Sequence, residues 1–280
     1  MELSIIILNY KSSQLIKYQL KKLANYNFNF DTEIIVIDND SRDDIESIVQ
    51  EFPNVKFIQS GKNIGFCAAN NLAAKSARGK YIMILNPDIR IEQFTIEKLY
   101  ETLKSNDNIG IIGPRLINAD GSTQETSFTF PNIYYPLFRR TFLGKTKIGQ
   151  KWLYKFLLKD KDRTKNFEVD WLQGACFIIK MHVFNKINGY DEKIFMYLDD
   201  MDLCRRVWEA GYSVYYMGEV TAIHLHQKMS ANKNIFISIF TNKLSRIHIK
   251  SWLHYIKKYS GMDFPKNCPS GKNYSNSQVK

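Results

Sequence analysis

Three carboxylates crowd the stretch LDDMDLCRR: Asp199, Asp200 and Asp202, where a helical pattern begins. Acids there complement the helix dipole, each by about 0.3–1 kcal/mol. Acids this close also repel one another, which raises at least one pKa, and a general base exploits such a shift. Spacings of i,i+3 and i,i+4 let Asp202 pair with Arg205 or Arg206, leaving Asp199 and Asp200 at the helix mouth. A second carboxylate, Asp88, ends the tripeptide Asn86-Pro87-Asp88 after an apolar run. With the backbone fixed by proline it suits a hard divalent cation that also holds phosphate oxygens, although Asn-Pro-Asp is equally a good turn. Asp38, Asn39 and Asp40 offer the acceptors and donors a nucleobase needs, and also the side-chain-to-backbone bonds of a turn. His224 and His226, at i,i+2, share one face of a strand, a pattern that favours metal or phosphate contact.

These groups need a scaffold. SIIILNY, EIIVIDND and YIMILNPD are short apolar runs ending in polar residues, as buried parallel strands do. VKFIQS and IGIIGPRL are further strands, and amphipathic helical patterns lie between the runs. WLQGACFIIK reads as one strand, and SVYYMG and TAIHLH as two more. DDMDLCRRVWEAGY reads as a helix closed by Gly211. Alternation of this kind predicts an α/β, Rossmann-like, mostly parallel sheet flanked by helices. Right-handed crossovers put the strands' C-terminal ends on one edge, where open sheets bind ligands. Asn9, Tyr10, Asp38, Asn39, Asp40, Asn86 and Asp88 all fall there.

Charge is unevenly distributed over the 280 residues. The net +11 arises from a surplus of +8 in residues 131–166 and +9 from residue 228 onward, so the remainder carries −6. Basic, aromatic-rich segments on an acidic body fit either a solvated basic surface or contact with phosphate, in nucleic acid, anionic lipid or a diphosphate substrate. The four cysteines show no CxxC pair, so reduced thiols without zinc are expected. The first residues lack a signal-peptide pattern, and no run approaches the roughly 20 apolar residues of a membrane span. A cytoplasmic protein follows.

The order of motifs is the most specific feature. SIIILNYKS, VIDNDSRDD, NIGFCAANN, GKYIMILNPD, DWLQGACFIIK, GYDEKIFMYLDDMDLCRR and HLHQKMS resemble, over residues 3–230, the family-two glycosyltransferases and their rhamnosyltransferase-like branch in bacterial polysaccharide synthesis. The resemblance implies a GT-A fold over residues 1–230, with 131–166 a basic insertion and 231–280 a helical extension and polar tail. It implies an inverting transferase using Mg²⁺ or Mn²⁺, a nucleoside-diphosphate sugar donor and a saccharide or polyprenyl-diphosphate-linked acceptor. Asn9, Tyr10, Asp38, Asn39 and Asp40 would meet base and ribose. Asn63, Gly65 and Asn70 would shape the adjoining wall, with Asn86 beside the phosphates. Asp88 would be the chief metal ligand, and His224 or His226 would help hold metal or diphosphate. Asp200 would be the base, partnered by Asp199. Trp171 and Gly174 would floor the acceptor pocket.

Trp152, Tyr154, Phe156, Phe236, Phe240, Trp252 and Tyr255, set among lysines and arginines, fit either an anionic membrane surface on the cell's inner face or, for the C-terminal helix, packing on the domain. A non-catalytic nucleic-acid-binding protein leaves the strand-end acids unexplained, since without a metal they repel phosphate. Nucleic acid is therefore not expected as a partner. A sugar-nucleotide nucleotidyltransferase would need a Gly-rich loop after the first strand, where NYKSSQL has no glycine.

Overall fold

A computed structural model describes residues 1–131, 138–139, 141–225 and 243–272. The first half alternates as β1 (Leu3–Asn9), α1 (Ser13–Leu23), β2 (Thr32–Asp38), α2 (Ile45–Gln50), β3 (Val55–Gln59), α3 (Phe66–Ala74) and β4 (Tyr81–Leu85). Then come β5 (Ile89–Ile91), α4 (Gln93–Lys104), β6 (Ile109–Ile117) and β7 (Ser127–Phe128). The basic segment contributes a 3₁₀ turn (Phe142–Lys145), α5 (Lys147–Phe156) and β8 (Asn166–Glu168). β9 (Trp171–Leu172), β10 (Cys176–Lys180), α6 (Met181–Lys186), α7 (Asp199–Glu209), β11 (Ser213–His224) and α8 (Lys243–Tyr259) complete the described elements.

Nine described strands form one sheet in the order β3-β2-β1-β4-β10-β6-β11-β5, with β8 also beside β11. β1 to β4 pair in parallel, as do β6 and β11, whereas β10 runs antiparallel between β4 and β6. The expected mostly parallel sheet is present. Its register fixes the rim: Asn9 lies opposite Asp38, Cys176 opposite Leu85, and His224 opposite Ile89.

The central strands are predominantly apolar because helices cover both faces. In β1, Ile6 joins the layer under α3 and α7, while Ile5 and Ile7 join the layer under α1 and α4. All three are fully buried, and each side chain contributes about 1.5–3 kcal/mol relative to exposure. Gly211 closes α7 at φ 92°, donating its N–H to Trp208 O.

Two strands differ from the sequence reading. WLQGACFIIK splits, because the chain at residues 173–175 bonds sideways: Gln173 N–H to Thr126 O, and Gly174 N–H to Asp200. SVYYMG and the first four residues of TAIHLH are one strand, irregular between Met217 and Thr221, where Gly218 passes so close to Arg163 O and Lys165 O that a Cβ would lie 2.3–2.4 Å away.

α8 lies on the body of the molecule, burying Tyr255 and Tyr259. Phe156 and Tyr255 face the core, so neither meets an outer surface. Phe236 and Phe240 lie outside the described residues. No described helix is long and apolar enough to cross a membrane. The four cysteines are free thiols and buried.

Candidate active site

At the ends of β1 and β2 the polar side chains are bonded mainly to one another. Asn9 Nδ2 donates to Asp38 Oδ1 at 2.9 Å, Ser41 Oγ at 2.9 Å and Asp43 Oδ1 at 3.0 Å. Asn39 accepts from Ile64 N–H at 2.9 Å and donates to Asn63 Oδ1 at 3.1 Å, which also accepts from Gly65 N–H. Asn9, Asp38 and Asn39 are buried, whereas Tyr10 and Asn63 are exposed and Asp40 is half-buried on the rim. Gly65, at φ 88°, admits Phe195, which would lie 2.7 Å from a Cβ there, and Phe66 N–H bonds Phe195 O. Asn70 is buried in α3, its Nδ2 on Phe66 O.

The Asn86-Pro87-Asp88 stretch is a β-turn: Ile89 N–H bonds Asn86 O, with proline at the second position. Gln19 of α1 braces it through Asn86 O and Ile89 O. Asp88 Oδ2 lies 3.3 Å from His224 Nε2. Gln124 sets the imidazole tautomer. Its Nε2 donates to Asn118 Oδ1 and His224 O, so its Oε1 must accept from His224 Nδ1–H, at 2.9 Å. Nε2 is thereby turned toward the carboxylate of Asp88, a geometry that a proton or a cation can bridge. The carboxylate oxygen suits Mg²⁺ or Mn²⁺, and the imidazole nitrogen beside it suits Mn²⁺ better than Mg²⁺; phosphate and water would have to supply the remaining ligands. Among the described residues no three His, Cys, Asp or Glu side chains converge as a closed protein cage. His226 lies outside the described residues.

Asp199 and Asp200 open α7, preceded by Tyr197 and Leu198 at φ 69° and 64°. Two successive non-glycine residues in the left-handed region cost roughly 1–3 kcal/mol each and persist only where packing enforces them. Asp200 accepts from Gly174 N–H at 3.0 Å and Met201 N–H at 2.8 Å. Burial pushes both carboxyls above their ordinary range. The Asp200 charge adds to the shift at Asp199, and the backbone bonds restrain it at Asp200. Asp202, fully buried, pairs with Arg206 at 2.8 Å, one of the two partners expected from spacing.

Asp88 and Asp200 share the rim. Asn86 N–H bonds Ala175 O at 2.9 Å, and the adjoining Gly174 N–H bonds Asp200, so two hydrogen bonds and one residue step join the turn to the helix mouth. Trp171 is set back from this path, stacked on Phe128 with its Nε1–H on Thr129 O. Sequence reasoning missed Asp43, which with Ser41 brackets Asn9, and Gln124, which no local pattern distinguishes. It also missed Asn71, whose amide holds Tyr190 N–H and O at 2.8 and 2.9 Å; the doublet Asn70-Asn71 was its only signal.

Residues 4–187 match the profile of a protein family described as Glycosyl transferase family 2. The chain is 29% identical over 227 residues to the low-salt glycan biosynthesis hexosyltransferase Agl10 of Haloferax volcanii, spanning 80% of this chain and 67% of that protein. It is 23% identical over 240 residues to the N-acetylglucosaminyl-diphospho-decaprenol L-rhamnosyltransferase of Mycobacterium tuberculosis, spanning 81% and 76%. Among solved structures, the mannosyltransferase PcManGT from Pyrobaculum calidifontis in complex with GDP-Man and Mn²⁺ has a similar fold: TM-score 0.58 at 13% identity, over 99% of this chain and 80% of that one.

Proposed function

We infer that this chain, which belongs to glycosyl transferase family 2, inverts the anomeric centre as it moves a sugar, rhamnose in the first instance, from a nucleoside-diphosphate donor to a saccharide or polyprenyl-diphosphate-linked acceptor in cell-surface polysaccharide synthesis. The observation that carries this reading is the pairing of two carboxylates on one sheet rim, Asp88 facing His224 and Asp200 facing Gly174 N–H. The rhamnosyltransferase relative, named for a decaprenol-diphosphate acceptor, supports the sugar and acceptor class.

The nucleoside lies over the ends of β1 and β2. Tyr10, Asp40 and Asn63 present their side chains to it, while Asn9, Asp38 and Asn39 hold that surface in shape from beneath. Asp200 takes the proton of the acceptor hydroxyl as its oxygen bonds the anomeric carbon. The bond from that carbon to the diphosphate breaks on the opposite face, and the electron pair leaves with the nucleoside diphosphate. Mg²⁺ or Mn²⁺ held by Asp88 and His224 would supply charge neutralisation for that leaving group. Asp199 keeps a second carboxyl beside the base, and Gly174 lets its N–H reach Asp200.

A thermal-shift panel of dTDP, UDP and GDP tests the donor site. One diphosphate with Mn²⁺, at about 100 times its Kd, should raise Tm by about 5 °C, and without Mn²⁺ by far less. A flat panel would reject the reading. Gly174→Ala tests the floor: its Cβ would lie 3.0 Å from Asp200 Cβ, displacing the base. Initial rates should fall about tenfold with Tm little changed, in line with a small misplacement of a reacting group.

The acceptor's lipid also gives the basic segment a partner. Ile148, Lys151 and Lys155 share one face of α5, beside Phe142; Phe142 and Ile148 are 75% and 76% exposed. Exposed apolar groups among lysines suit an anionic bilayer. The protein should co-sediment with anionic vesicles at low salt and be released by about 1 M salt. Equal sedimentation with neutral vesicles would refute this.

A further inference from the structure

Residues 190–198 run from the donor wall to the mouth of α7. Their inner side is fixed by Asn71 on Tyr190 and by Phe66 N–H on Phe195 O. Their outer side is fixed by α8: Ser251 Oγ donates to Met196 O at 2.9 Å, and His248 stacks on Tyr197 with ring centroids 4.9 Å apart. Lys258 reaches furthest. Its ammonium donates to Asp191 Oδ2 and to Asp202 Oδ1, both at 2.7 Å. Tyr259 OH adds a 2.8 Å bond to the same Asp202 oxygen, while Arg206 holds the other. Asp191 stands shortly before the catalytic pair and Asp202 shortly after it, so one side chain brackets the segment containing Asp199 and Asp200.

We propose that α8 is a clasp for this segment, and that Lys258 is a positioning residue which keeps Tyr197 and Leu198 left-handed and Asp200 turned toward the acceptor. Left-handed backbone at two non-glycine residues relaxes unless its surroundings hold it. Among the described residues, Ser251, His248 and Lys258 of α8 supply contacts that hold it from outside. The buried Asp202 carboxylate in turn needs the donors that Lys258, Tyr259 and Arg206 supply, since a carboxylate that loses one partner in the interior is strongly disfavoured. The proposal rests on Asp200 being the base, and its test separates the two ideas.

In the full-length protein, Lys258→Met should lower kcat about tenfold, leave donor KM within about twofold and retain the nucleoside-diphosphate thermal shift. Amide exchange should quicken at residues 197–201. Lys258→Arg, which can still reach two carboxylates, should restore most of the rate. Unchanged exchange overturns the clasp, and so does faster exchange with unchanged kcat. A fall in kcat that merely tracks loss of nucleotide binding also overturns it, by indicating general damage. If Lys258→Met does not fold, Tyr259→Phe and Ser251→Ala each delete one hydrogen bond and are read the same way. If the wild-type protein transfers no sugar, the assignment of Asp200 fails on its own, and the exchange readout still decides the clasp.

Discussion

Replacing Asp200 by Asn is expected to lower sugar transfer about a thousandfold while nucleoside-diphosphate binding stays intact. The amide keeps the shape of the side chain and one oxygen for Gly174 N–H, but cannot take the acceptor proton. Loss of a positioned general base costs about 10²–10⁴ in rate. Single-turnover transfer and thermal shift, measured on the same sample, check both halves; full activity in Asp200→Asn would end the assignment. The wild-type pH profile carries the same information. Because burial raises both carboxyls, the acid limb should stand above the usual carboxylate value of about 4. The rate rises as pH passes through the raised value, since the base works deprotonated. Stability moves the other way. A carboxyl whose folded pKa is raised binds its proton more tightly folded than unfolded, so stability is lost as pH climbs from the unfolded value to the folded one. Asp200→Asn removes that charge beside Asp199, and a higher Tm at neutral pH is therefore expected.

Asp88→Ala should be nearly as damaging, by a different route. A cation at a leaving diphosphate supplies several kcal/mol, so its loss costs about a thousandfold in rate. The variant should also lose the Mn²⁺-dependent part of the nucleotide thermal shift, and chelation of the wild-type protein should reproduce both effects. Gln124→Ala probes the imidazole orientation from outside the ligand pair and should cost about 10–100-fold in metal affinity. Undiminished transfer by Asp88→Ala would remove the metal from the mechanism.

The sheet was legible because its signals are local. β1, β2 and β4 carry the apolar runs Ile5–Leu8, Ile34–Ile37 and Ile82–Leu85, and each ends where a polar cluster begins. The buried carboxyl pair at the mouth of α7 was legible because three acids at one helix start exceed what a helix dipole requires. What was not legible depends on contacts far along the chain. The reversed direction of β10 follows from a chain path that spacing does not encode. WLQGACFIIK looked continuous because Gly174 gives no hint that its N–H serves Asp200 rather than a neighbouring strand. Asn9 and Asn39 read as ligand contacts by type, yet their amides are taken up by Asp38, Ser41, Asp43 and Asn63, partners that a linear reading places 24 to 34 residues apart. Phe156 read as a surface aromatic among lysines, and Tyr255 as either surface or packed, because burial of one helix face against the body is not a property of the helix alone.

The place of β10 between β4 and β6 has a consequence for synthesis. β4 is complete at Leu85, but the strand that covers its open edge begins at Cys176, about 90 residues later. On a ribosome adding about 5–20 residues per second, the nascent chain holds that edge unpaired for roughly 5–20 s. An apolar strand with free amides and carbonyls is a template for another chain. Overproduction should therefore fail first by aggregation of unfinished polypeptides, and slower growth at low temperature or a holdase at the exit tunnel should rescue yield more than any stabilising substitution in the finished protein.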